Sequence, residues 1–166
     1  GSDDIKDDLR GDKKVDKVDG KGKSDKLNGK GGNDHLFGGG KKDTLIGGKG
    51  KDVLQGDKGA DKISGGKGKD ILYGGRGNDE LTGGEGRDVF VLSSDKDIIT
   101  DFELGKDDIG LVYSLDLKFK QKGDDLLIKG NDGVNTLLLG IDKKDFLKDL
   151  ENDAPELLPA VEVNVL

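Results

Sequence analysis

Residues 65–73 read GGKGKDILY and residues 74–82 read GGRGNDELT. Both place Asp sixth and Leu eighth, and this nine-residue frame decides the fold. Extended in steps of nine from Ser2, the sixth place holds Asp7, Asp16, Asp25, Asp34, Asp43, Asp52, Asp61, Asp70, Asp79 and Asp88. The eighth place holds Leu9, Val18, Leu27, Leu36, Leu45, Leu54, Ile63, Leu72, Leu81 and Phe90. Ten units keep phase without a slip, and an eleventh, lacking the glycines, adds Asp97 and Ile99.

The unit has a local physical reading. Its glycines let the backbone take positive φ and turn carbonyls inward. The Asp adds a carboxylate at the end of the turn. An apolar residue between two outward ones then has the period of a short strand. Turn, strand, turn and strand close one 18-residue coil, and alternate units stack at about 4.8 Å. A hard cation takes roughly six to eight oxygens. One turn supplies too few, whereas two stacked turns supply enough.

Units such as GGKGKDVLQ (47–55), GGRGNDELT (74–82) and GGEGRDVFV (83–91) resemble the nonapeptide of RTX proteins, calcium-binding secreted proteins of Gram-negative bacteria. DIITDFELGKDDIGL (97–111) is similar to the segment that commonly closes such arrays. The resemblance implies an all-β fold: a right-handed parallel β-roll, or β-solenoid, with two nonapeptides per turn. A small β-rich C-terminal cap with one short helix follows. Four regions are expected: degenerate repeats over 1–28, the calcium-binding roll over 29–100, a cap over 101–150 and a tail over 151–166. The tail occupies the position of the family's uncleaved type I secretion signal. Gly1 and Ser2, with no visible leader, suggest a piece of a longer extracellular protein.

The resemblance also implies a ligand set, with calcium held between turns i and i+2. The clearest site would join Gly48, Gly50 and Asp52 to Gly65, Lys67 and Asp70. The next would join Gly66, Gly68 and Asp70 to Gly83, Glu85 and Asp88. On the opposite edge, Gly59 and Asp61 would face Gly74, Arg76 and Asp79, and Gly75, Gly77 and Asp79 would face Asp97. Asp34 pairs with Asp52 and Asp43 with Asp61, although Lys41 stands where the latter unit wants Gly, a place of backbone strain. Asp101 or Asp108 would finish a last site against Asp88. The resemblance implies several calcium ions, about six. Asp7, Asp16 and Asp25 are not expected to take part, because Ile5, Lys14 and Lys23 replace glycine in their units.

Composition explains why folding would need the ion. Only 31% of the chain is hydrophobic, 38% is charged and 30 residues are Gly, a profile close to that of disordered chains. The Asp and Leu columns argue against a plain flexible linker. With no Cys there is neither a disulfide framework nor a thiolate metal site. No apolar run reaches the roughly 18 residues of a membrane span. No enzyme is expected from these residues: there is one His, no triad, and the Asp pairs belong to the repeat. Glycine patterns resembling a dinucleotide fingerprint lie inside nonapeptides rather than strand–helix units.

Lysine is the departure from the family. The fifth place, commonly Asn or Asp, holds Lys42, Lys51, Lys69 and Arg87. Residues 1–91 carry 18 acids against 19 Lys and Arg, whereas residues 92–166 carry 17 against 9. Two readings remain open: a solvated rim, or a positive edge that meets an anionic polysaccharide or cell surface. A net charge of −7 and few aromatics argue against nucleic acid.

The outward residues divide by face. His35, Phe37, Val53, Gln55, Ile71, Tyr73, Val89 and Val91 share one side, and Lys26, Asn28, Thr44, Ile46, Lys62, Ser64, Glu80 and Thr82 the other. The apolar side (Phe37, Val53, Ile71, Tyr73, Val89, Val91) is expected to be covered by residues 112–150. There LDLKFK (115–120), LLIK (126–129) and VNTLLLG (134–140) suit strands, and IDKKDFLKDLEN (141–152) suits a short helix. Asp142 would cap that helix, with Phe146, Leu147 and Leu150 inward.

Overall fold

A computed structural model describes residues 8–12, 14, 16–111, 117–131 and 133–153. Short strands alternate between two walls. β1 (Asp8–Arg10), β3 (Lys26–Gly31), β5 (Thr44–Gly50), β7 (Lys62–Gly68), β9 (Glu80–Gly86) and β11 (Ile98–Ile99) stack in one sheet. β2 (Lys17–Asp19), β4 (His35–Gly40), β6 (Val53–Lys58), β8 (Ile71–Arg76), β10 (Val89–Leu92) and β12 (Asp108–Leu111) form the other. Neighbouring strands within each wall are parallel, and Leu45 lies opposite Leu27 and Ile63, 18 residues away on either side. This is a parallel β-solenoid with two nonapeptides per turn. Its strands outrun the three residues expected of each unit, because the turn glycines also join the ladder: Gly48 pairs with Gly66 and Gly66 with Gly84.

The eighth-place column becomes the core. Leu27, Leu36, Leu45, Leu54, Leu72 and Phe90 are fully buried between the walls. The core is one side chain deep from each wall, so stacking rather than thickness supplies the burial. The stacking extends back to β2 and β1, so the described part of residues 1–28 stacks in the same register as the rest.

At the C-terminal end β13 (Lys118–Lys122), β14 (Asp125–Lys129) and β15 (Asn135–Leu138) continue the first wall. β15 lies parallel to β11, and β14 and β13 follow antiparallel. α1 (Lys143–Asp153) closes the end. Asp142 caps it, its Oδ1 accepting from the Lys144 N–H at 2.8 Å. Four of the five phenylalanines join the parts: Phe90 to Phe102 at 5.9 Å, Phe102 to Phe146 at 5.9 Å and Phe119 to Phe146 at 5.6 Å.

Two expectations about the cap are corrected. Phe37, Val53, Ile71, Tyr73 and Val89 are half-buried in their own sheet, and Val91 is buried. The described cap strands do not lie over them; they extend the opposite wall end to end. The reason is the backbone edge of β11, which offers unpaired N–H and C=O groups that β15 satisfies. Leu150 is 44% exposed rather than inward, because the inward stripe of α1 ends at Phe146 and Leu147. Part of the LDLKFK segment and most of the expected tail (154–166) lie outside the described residues.

Candidate metal centre

The sixth-place aspartates build a ladder through the molecule. Each Oδ1 accepts a hydrogen bond from the backbone N–H of the aspartate one coil earlier: Asp52 from Asp34 at 2.7 Å, Asp70 from Asp52 at 2.8 Å, Asp88 from Asp70 at 2.9 Å. On the other edge Asp43 accepts from Asp25 at 2.7 Å, Asp61 from Asp43 at 2.7 Å and Asp79 from Asp61 at 2.8 Å. The second oxygen has no such partner. Oδ2 of Asp25, Asp34, Asp43, Asp52, Asp61, Asp70, Asp79 and Asp88 is buried and accepts nothing from the protein. A buried carboxylate oxygen left this way is costly unless a cation meets it.

Backbone carbonyls point into the same inter-turn spaces. A Cβ added at Gly66 would fall 2.3 Å from the Gly48 oxygen, and one at Gly68 would fall 1.6 Å from the Gly50 oxygen. The second- and fourth-place carbonyls of one turn thus aim at the turn 18 residues on. From that turn the first-place carbonyl aims back: a Cβ at Gly65 would meet both Asp70 Oδ2, at 2.5 Å, and the Gly83 oxygen, at 2.7 Å. The opposite edge repeats the pattern, with Gly77 against the Gly59 oxygen and Gly75 against that of Asp57. An all-oxygen donor set of this kind suits a hard divalent cation. Among the described residues no three His, Cys, Asp or Glu side chains cluster as a metal site. Most donors here are main-chain, so side-chain clustering is not how such a site would announce itself.

Burial sets the electrostatics. It pushes the carboxyls of Asp43, Asp70 and Asp97 up to about 7 and that of Asp61 up to about 6, only partly opposed by the N–H each accepts. Neighbouring carboxylates add to the rise. Asp34, Asp52, Asp79, Asp88 and Asp107 are raised for the same first reason. The sign follows. Between the ordinary carboxyl value of about 4 and these raised values the folded metal-free roll binds more protons than the unfolded chain, so its stability falls as pH rises through that window. A cation must displace those protons. The unfolded chain is already deprotonated at both ends of the range from about pH 7.5 to about pH 5.5, so the calcium midpoint of folding, measured by circular dichroism, is expected not to rise as pH is lowered across it, because protons held by the folded metal-free roll only add to its stability. A midpoint that rises severalfold toward pH 5.5 would contradict the burial of these groups.

Other residues fall differently. Asp97 is buried, but its Oδ2 accepts from the Ser93 hydroxyl at 2.8 Å, and Asp95 accepts from the Gly77 N–H at 3.0 Å. Side chains therefore seal the last turn on that edge. Asp101 takes the Gly83 and Gly84 N–H groups, each at 2.9 Å. Asp108 is not in the ladder. It pairs with Arg87 at 3.0 Å, and Asp107 accepts from the Asp88 N–H instead, also at 3.0 Å. The closing strand is offset by 19 residues rather than 18, with Asp108 opposite Val89. The pattern Asp107-x-Ile109, matching Asp88-x-Phe90, carries that signal in the sequence. Asp25, expected to stand aside, is 2% exposed and belongs to the ladder. The Lys67 and Glu85 side chains form an exposed ion pair at 2.6 Å, while Arg76 is exposed. His35 is exposed too.

A family model described as the RTX calcium-binding nonapeptide repeat matches in four copies, at residues 10–45, 19–54, 37–72 and 64–99. Among solved structures, the chain is similar to the extracellular lipase LipA from Serratia marcescens, with 15% identity and a TM-score of 0.44. That likeness covers 87% of this chain but only 38% of the lipase chain. It is also similar to the AlgE6R3 subunit from the Azotobacter vinelandii mannuronan C5-epimerase, with 22% identity, a TM-score of 0.35 and coverage of 94% and 88%. No curated protein matches the chain. With the repeat matched over more than half its length and the stacked aspartate turns in place, the chain belongs to the RTX calcium-binding nonapeptide-repeat family.

Proposed function

We propose that this calcium-binding repeat module works as a folding switch for export. It stays unfolded in the low-calcium cytosol, passes a type I secretion apparatus and folds in the extracellular medium. One observation carries the reading: eight buried aspartates each keep an oxygen without a protein partner, in spaces that backbone carbonyls also line. The ligands would be those of stacked turns. Gly48, Gly50 and Asp52 would act with Gly65, Lys67 and Asp70; Gly66, Gly68 and Asp70 with Gly83, Glu85 and Asp88; Gly59 and Asp61 with Gly74, Arg76 and Asp79. Lys67, Arg76 and Glu85 would contribute main-chain oxygens only. Calcium, when bound, supplies the positive charge that these carboxylates lack. The chain's own part is to hold the oxygens at the stacking distance and exclude water with the Leu column. Extracellular modules of this kind bind with dissociation constants of about 10⁻⁴–10⁻³ M, which leaves the switch off inside the cell.

Deleting residues 152–166 tests the export half. The expected result is a chain that still folds in calcium but is no longer secreted by a type I exporter. Intact export with lost attachment to cells would favour the other reading, a surface-binding module.

A further inference from the structure

The even-numbered wall carries a feature that the repeat does not require. Three outward columns run along the coil axis side by side. Phe37, Gln55 and Tyr73 lie in register in the first, and Gly39, Asp57 and Gly75 in the second. Gly40, Lys58 and Arg76 make the third. The middle column is nearly bare of side chains, so it forms a floor between two walls. Gln55 and Tyr73 stand on one side, Lys58 and Arg76 on the other, and Lys21 closes one end. The resulting cleft has a volume of about 640 Å³.

Its chemistry is specific. Asp57 is the only acid among the described lining residues, and its Oδ1 accepts from Gln55 Nε2. Gln55 points away from the core, yet it is only 7% exposed, held between Phe37 and Tyr73. Asp57 also holds positive φ, 71°, as does Lys21, at 73°, whereas Gly39 and Gly75 are glycine. A wall with an aromatic ring and an amide faces a wall of two cations at strand spacing, about 4.8 Å apart.

The geometry points to a groove for a linear carboxylated oligosaccharide. A sugar lays its C–H face on Tyr73 and turns its carboxylate to Lys58 or Arg76, while Gln55 and Asp57 take hydroxyl groups. Nucleic acid fits less well: the groove offers three cations and one ring on a chain of net charge −7, not a stacking series along a basic track. The groove rests on the calcium-folded roll proposed above, because only stacked coils bring its walls together.

The test titrates the calcium-saturated full chain with hexagalacturonate, maltohexaose and a six-nucleotide dT strand, with folding followed by circular dichroism. Hexagalacturonate is expected to bind and maltohexaose not to. The double variant K58E/R76E is expected to weaken binding about tenfold or more, and the milder K58Q/R76Q keeps the test open should the charge reversal unfold the coil. K51E/K69E makes the same charge change on the opposite edge and is expected to alter affinity by less than about threefold. Equal losses in the two reversal pairs, equal binding of maltohexaose, or tighter binding of dT overturns the groove. A chain that folds and binds no hexagalacturonate overturns the groove alone. A chain that stays unfolded in calcium overturns both the groove and the reading beneath it.

Discussion

Chelation of calcium is expected to abolish most of the β signal in the far-ultraviolet circular dichroism spectrum, and millimolar calcium to restore it. The coil buries one apolar side chain per nonapeptide, and its turns are rich in the residue that loses most entropy on ordering. Against that thin core stand eight carboxylate oxygens, buried and unpartnered. Burying one unpaired carboxylate costs several kcal/mol even after relaxation, so a stack of them outweighs the marginal stability of an ordinary domain. Binding a cation between turns removes that penalty and couples folding to ion concentration. The transition should be steep, because each coil is stabilised by its neighbours. A β spectrum that persists in chelator would mean the stack stands on its apolar column alone.

Gly68→Ala is expected to be among the costliest point substitutions. Its Cβ would fall 1.6 Å from the Gly50 oxygen, and φ there is 140°, which L residues rarely adopt. The strain alone is worth about 1–3 kcal/mol, and relieving the clash means parting two coils at the position where their carbonyls converge. The expected result is a calcium midpoint raised about tenfold or more, or a loss of the folded transition. Gly22→Ala is the matched control. A Cβ at Gly22 meets nothing within 4 Å, so its midpoint should stay within the roughly 0.5 kcal/mol of an ordinary surface change. Equal effects at the two positions would show that turn glycines matter for flexibility, not for close approach.

Most of the fold was legible because the repeat is a register. Aspartate and leucine columns nine residues apart dictate which side chains stack, and the observed pairing of Leu45 with Leu27 and Ile63 follows from them. The lysine flagged for strain, Lys41, does hold positive φ, 78°, as do Lys21 and Lys30 in places where other units have glycine. What could not be read came from outside the repeat. Asp107 replaces Asp108 because the closing loop adds one residue, and a strict nine-residue count lands on Lys106. Asp25 joins the ladder although its turn lacks a glycine at Lys23, because Oδ1 of Asp43 needs only the Asp25 N–H. The cap's position was decided by an open strand edge, which hydrophobic patterning does not encode. That left the apolar wall uncovered by the described cap, and Gln55 within it became part of a groove.

The central claim is that the inter-turn spaces hold calcium. Anomalous scattering from crystals grown in calcium tests it most directly. The expected result is ordered peaks between stacked turns, one of them among the Gly66 and Gly68 carbonyls, Asp70, the Gly83 and Glu85 carbonyls and Asp88. Peaks confined to the exposed rim, with the Asp70 and Asp88 Oδ2 atoms still unmet, would contradict it.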